Sequence, residues 1–113
     1  MAQADATKAK RSFTDPEAER RALAAAIMIP DAWPEVAPLW DRELFSDALC
    51  RRIAEAVDAI VEEDGIPSPT RVLRRLGGAQ AAANDLLLMA NDVLSPSEAV
   101  GLFKHLRGLY LRR

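Results

Sequence analysis

The sequence is poor in the residues that build metal centres, disulfide frameworks and β-sheets. A single cysteine, Cys50, excludes an internal disulfide, and with the one histidine, His105, it cannot complete a zinc site alone. Aromatic residues make up 5% of the chain and threonine occurs three times, whereas alanine occurs 21 times and leucine 14 times. Strands draw on β-branched and aromatic residues and helices on alanine and leucine, so the expectation is an all-α fold. The longest apolar run, Ala22 to Pro30, falls short of the roughly 18 residues a membrane span requires. Basic segment, apolar segment and cleavage site do not follow in order at the N-terminus. That argues against a secretory signal and for a reduced, cytoplasmic setting. Gly77-Gly78 is followed by Ala79-Gln80, not by the Lys-Ser or Lys-Thr of a phosphate-binding loop.

What is present is ordinary for one soluble domain: 113 residues, half of them hydrophobic and 28% charged. A chain of this length buries about two thirds of its unfolded surface, enough for a core without metals or disulfides. The net charge of −2 argues against a general nucleic-acid binder. That small total hides a strong division. Residues 1 to 14 hold three basic and one acidic side chain, residues 15 to 64 five and thirteen, and residues 65 to 113 seven and three. The middle of the chain is therefore acidic, net −8, and suits a basic protein partner better than DNA.

Residues 1 to 14 are small, polar and without apolar periodicity, and read as a disordered arm. Order is expected from Asp15-Pro16-Glu17, with Asp15 as cap, Pro16 at the first helical position, and Glu17 and Glu19 favouring the positive end. This helix should run to about Ile29, stop at Pro30 and lie centrally, since it is apolar on both sides. A short helix from Asp31 carries Trp33, Val36, Leu39 and Trp40, and a single turn spans Asp41 to Phe45. Ser46 or Asp47 caps a long helix to Asp64 that ends at Gly65. Ser68 and Pro69 open another short helix to Leu76, broken by Gly77-Gly78. Ala79 to about Val93 reads as one helix, and Ser95-Pro96-Ser97-Glu98 is a capping box for a last helix to Leu111. The division expected is a compact helical body over 15–76 and an antiparallel helical hairpin over 79–111. Body core positions are Ala22, Ile27, Leu39, Phe45, Ile53, Val57 and Ile60.

No catalytic constellation emerges. Cys50 falls among the apolar positions of its helix, as a buried small hydrophobe would. His105 lies beside Lys104 on the outer side of the last helix, and the carboxylate pairs Glu17/Glu19 and Glu62/Glu63 sit at helix ends where the dipole and solvent account for them. The chain reads as a non-enzyme, with no cofactor and no metal. Excess apolar surface on the hairpin stands out instead, because Leu86, Leu87, Leu88 and Met89 are consecutive and point all round a helix. Leu86 and Leu109 are expected inside the hairpin. Leu87, Leu88, Phe103, Leu106 and Tyr110 are the candidate self-association interface.

The order of motifs resembles the N-terminal domain of DnaB-type replicative DNA helicases. The matching segments are Asp15-Pro16-Glu17-Ala18-Glu19, Ile29-Pro30-Asp31-Ala32-Trp33 and Val36-Ala37-Pro38-Leu39. They continue with Phe45-Ser46-Asp47 through Ile53, Gly65-Ile66-Pro67, Gly77-Gly78-Ala79 and the Arg112-Arg113 ending. The resemblance covers residues 15 to 113. It departs from the family at Cys50, where histidine is usual, at Pro69, and in the short step between Leu76 and Gly77. The family's motor domain, with its ATP-binding loop, is not represented.

The resemblance implies a non-catalytic assembly and docking domain whose hairpins pair and build the collar of a hexameric helicase. The collar binds the C-terminal helicase-binding domain of primase and, in some systems, the helicase loader, without sequence-specific DNA contact and without a membrane. A free-standing regulator that mimics this domain and binds helicase or primase is the alternative, and the related domain at the end of a primase is a third reading. A DNA-binding helical module built on Arg71, Arg74 and Arg75 is a fourth, but no recognition helix follows them.

Overall fold

Short-range side-chain chemistry sets several helix starts in the computed structural model, which describes residues 14–29, 31–92 and 95–112. Helix α1 (Pro16–Met28) starts where the Asp15 carboxylate accepts the Ala18 N–H at 3.1 Å. Helix α2 (Ala32–Val36) passes directly into a 3-10 turn, Ala37–Leu39, and a second turn, Arg42–Leu44, is capped by Asp41. Asp47, rather than Ser46, caps α3 (Ala48–Asp64) by accepting the Cys50 N–H at 3.2 Å. Gly65 then ends α3 at φ +110°, a conformation that side chains with a Cβ rarely adopt. Ser68 caps α4 (Pro69–Leu76), a 3-10 turn spans Gly77–Ala79, and α5 (Gln80–Leu87) follows. A further 3-10 stretch, Leu88–Asp92, leads towards α6 (Pro96–Arg112), where Ser95 Oγ accepts the Glu98 N–H. The described residues are all-α, with no strand among them.

Helix α1 is the centre of the molecule. Ala22 to Ile27 are all buried, because small residues on every side let neighbours approach from several directions. Helices α5 and α6 and the 3-10 stretch after α5 pack directly on it, with α2 and α3 completing its surroundings. The body core expected from the sequence is present with one exception: Leu39 is only half-buried, while Ala22, Ile27, Phe45, Ile53, Val57 and Ile60 are buried. An aromatic group ties α6 to the turns before α3. Trp40 stands 5.3 Å from Phe45 and 5.9 Å from Phe103 by ring centroids, and its indole N–H donates to Asp58 at 2.7 Å.

Two expectations about the C-terminal part need correction. The helix expected over Ala79 to Val93 is α-helical only to Leu87, after which the backbone tightens to three residues per turn. That tightening stacks residues three apart, so Leu87 and Ala90 fall together against the core while Leu88 and Asn91 face outwards. Second, the segments do not form an antiparallel hairpin set apart from a body. Their axes turn through 115°, and each packs on α1 instead of chiefly along the other. The reason is α1 itself, whose all-round apolar surface receives both. Of the remaining expectations, the arm up to residue 13, Pro30, Val93 and Arg113 lie outside the described residues.

Candidate functional site

The first cluster of polar chemistry lies where α1 meets the start of α3. Glu19, expected to be solvated beside Glu17, is fully buried. Its Oε1 accepts the backbone N–H groups of Ser46 at 2.7 Å and Asp47 at 2.9 Å, and its Oε2 accepts the Ser46 hydroxyl at 2.6 Å. These donors sit at the positive end of a 17-residue helix, so the carboxylate is held by amides and by the helix dipole together. Beside it Arg20 donates to Asp47 at 3.0 Å. Burial pushes the Asp47 carboxyl up, but the Arg20 hydrogen bond, the Cys50 N–H and the Arg20 charge outweigh it and hold the group below its ordinary value.

Cys50 is the thiol of this cluster. Burial, followed by the nearby carboxylates of Asp47 and Glu19, pushes its thiol far above the ordinary range. A thiol that keeps its proton is a poor nucleophile and a poor metal ligand. The cluster therefore acts as a joint that fixes the start of α3 against α1. A weak sequence signal marked Glu19: it shares a helical face with Leu23 and Ala26, one and two turns on.

A second polar contact joins the two ends of the fold. His105 Nε2 on α6 lies 3.1 Å from Asp15 Oδ2, the cap of α1. The Ala18 N–H, the largest effect, pulls the Asp15 carboxyl below its ordinary value; burial opposes it, and the His105 hydrogen bond and charge add to the lowering. No group of three or more histidine, cysteine, aspartate or glutamate side chains suited to a metal ion occurs among the described residues.

The candidate self-association residues do not come together on a surface. Leu87, Phe103 and Leu106 are 2%, 0% and 1% exposed, buried in the chain's own core. Leu88 and Tyr110 remain exposed. The apolar surplus inferred from four consecutive large residues is mostly consumed by α1, an internal partner that the local pattern does not reveal. Leu86 and Leu109 are internal, as expected, but to the common core.

The open surface is instead apolar at two other places. A cleft of about 160 Å³ at the end of α6 is lined by Leu39, Trp40, Asp41, Leu44, Arg107, Tyr110 and Leu111. A larger groove of about 310 Å³ runs between the end of α1 and the link after α3, lined by Ala26 to Ile29, Trp33 and Ile66 to Pro69. Met28 and Ile66 stand exposed on its edges. No helix among the described residues is long and apolar enough to cross a membrane by itself. Comparison with family models, with curated proteins and with solved structures finds no match to this chain.

Proposed function

We propose that this chain is a non-catalytic assembly and docking domain of a replicative DNA helicase of the DnaB type, which binds the helicase-binding domain of primase. The observation that carries the reading is the ordered run of motifs across residues 15 to 113. Those motifs fall on the joints of an all-α fold. Asp15-Pro16 opens α1, Phe45 to Asp47 lead into α3 with Ile53 in the core, Gly65 to Pro67 link α3 to α4, and Gly77-Gly78 separate α4 from α5. Residues suited to caps, turns and helix breaks at such joints are what this architecture requires. The acidic middle of the chain and its exposed apolar edges support a role in binding proteins.

Calorimetric titration with the C-terminal domain of the cognate primase, read beside light scattering, tests the proposal. Saturable binding with a fixed stoichiometry is the expected result. Absence of heat and of a mass increase at concentrations well above micromolar would overturn it. The same scattering data report self-association, for which Leu88 and Tyr110 are the two exposed positions of the five expected from the sequence.

A further inference from the structure

We infer that the cleft between the end of α3 and helix α4 is a docking site for an acidic segment of a partner protein. The cleft, of about 260 Å³, is lined by Ile60 and Glu63 of α3 and by Arg71, Arg74 and Arg75 of α4. Three guanidinium groups therefore stand against one carboxylate, over a floor supplied by the buried Ile60. Arg74 and Arg75 follow Arg71 by three and four residues, the spacing that puts side chains on one face of a helix. Helix α4 holds no aspartate or glutamate, and its apolar residues Val72 and Leu76 are buried, so arginine makes up all the charge it presents.

Two features distinguish this cleft from an ordinary solvated surface. Arg74 and Arg75 lie in the last turn of α4, where the carbonyl end of a helix favours cations. Arg71 lies in the first turn, beside the positive end, where the same dipole disfavours it. The chemistry of the helix alone thus does not account for a third arginine here. The other feature is Glu63. Arg75 binds its carboxylate, so the cleft displays within the chain the pairing that it offers a partner. Both side chains of that pair are partly exposed, and an ion pair in such a setting contributes little and exchanges readily. Arg74 is exposed, makes no ion pair among the described residues, and is open to an incoming carboxylate.

The class of partner follows from what lines the cleft and what surrounds it. No aromatic side chain lines it on which a base could stack, and residues 15 to 64 carry a net charge of −8, which repels a polyanionic backbone. With Ile60 as its one apolar residue, the cleft lacks the walls that enclose a small organic anion. A protein segment with carboxylates one helical turn apart meets Arg71 and Arg74 together, each fork taking one carboxylate through two N–H groups. The inference goes beyond the helicase reading and does not rest on it, since it concerns the charge of one cleft and not the identity of a primase.

The test uses the full chain and two fluorescein-labelled synthetic peptides, one with glutamate at every third or fourth position and the same peptide with glutamine for glutamate. Fluorescence anisotropy at low salt should show saturable binding of the glutamate peptide, about tenfold tighter than the glutamine control and weaker as salt is raised. Arg74→Glu and Arg71→Ala should each weaken it by about tenfold, whereas Arg107→Glu, a reversal of charge on α6 outside the cleft, should leave it within about twofold. Circular dichroism of each variant establishes that it remains folded. Absence of saturable binding would overturn the inference, and so would equal weakening by Arg107→Glu, which would reduce the effect to overall charge. Displacement of the labelled peptide by a single-stranded oligonucleotide or by inorganic phosphate, as effective as displacement by unlabelled glutamate peptide, would also refute it. The same holds for a dimer in sedimentation analysis that Arg74→Glu dissociates, because the acidic middle of a second copy would then fill the cleft.

Discussion

Removal of the Glu19 side chain should be among the most damaging single changes in this protein, although the residue lies in the first turn of a helix where glutamate is usually solvated. Glu19→Ala leaves the Ser46 and Asp47 N–H groups without their acceptor and opens a void between α1 and α3. A hydrogen bond to a charged group is worth about 1.5–3 kcal/mol net, and breaking a buried charged network costs about 3–5 kcal/mol. The Ser46 hydroxyl lies on an exposed residue and can turn to water, so it adds little. The expected loss for Glu19→Ala is therefore about 3–5 kcal/mol, a large share of the roughly 5–15 kcal/mol that holds a domain folded. Glu19→Gln keeps an oxygen for both amides and lets the serine hydroxyl accept from the new amide, so its loss should be about 1–2 kcal/mol. Urea unfolding followed by circular dichroism and tryptophan fluorescence measures both, with equal slopes certifying the comparison. A Glu19→Ala loss below about 1 kcal/mol, or a glutamine variant no better than alanine, would refute the account of the joint.

Three further outcomes follow from the packing and charges. Ile53→Ala, at a fully buried position of α3, should cost about 2–5 kcal/mol in the same urea assay. Leu106→Asp should unfold the chain, whereas Leu88→Asp should change stability by less than about 0.5 kcal/mol, and thermal melts of the pair measure the difference. Asp15 and Asp47 both titrate below their ordinary value of 3.8 in the folded state. The unfolded chain therefore takes up those protons first as pH falls, so their stabilisation is complete above the ordinary carboxylate value and disappears as pH drops through the folded values. Urea midpoints between pH 6 and pH 2 should fall steeply at the acid end, on the order of two pH units wide, and Asp47→Asn should flatten that fall.

Local chemistry made much of the architecture legible. Asp15, Asp47, Ser68 and Ser95 each bond a backbone N–H three residues ahead, and Gly65 supplies a positive φ, so these boundaries depend on residues within one turn. The central position of α1 was legible too, from its lack of a polar face. What failed depended on partners distant in sequence. Glu19 owes its burial to Ser46 and Asp47, 27 and 28 positions away. Leu87, Phe103 and Leu106 looked like surplus surface because nothing in their own segment shows that α1 will cover them. The groove was missed for a similar reason: Met28 and Ile66 are unremarkable singly, and only the fold sets them on one edge.

The arrangement of α1 has a consequence for how the chain is made. Its principal neighbours, α5 and α6, leave the ribosome after the other described helices, and the Asp15–His105 contact spans 90 positions. Until those helices arrive, α1 exposes apolar surface on several sides. Closing so long a loop before its contacts form is entropically costly and slows folding. During that interval the nascent chain carries its most adhesive segment uncovered, a state that chaperones recognise and that favours aggregation when they are scarce.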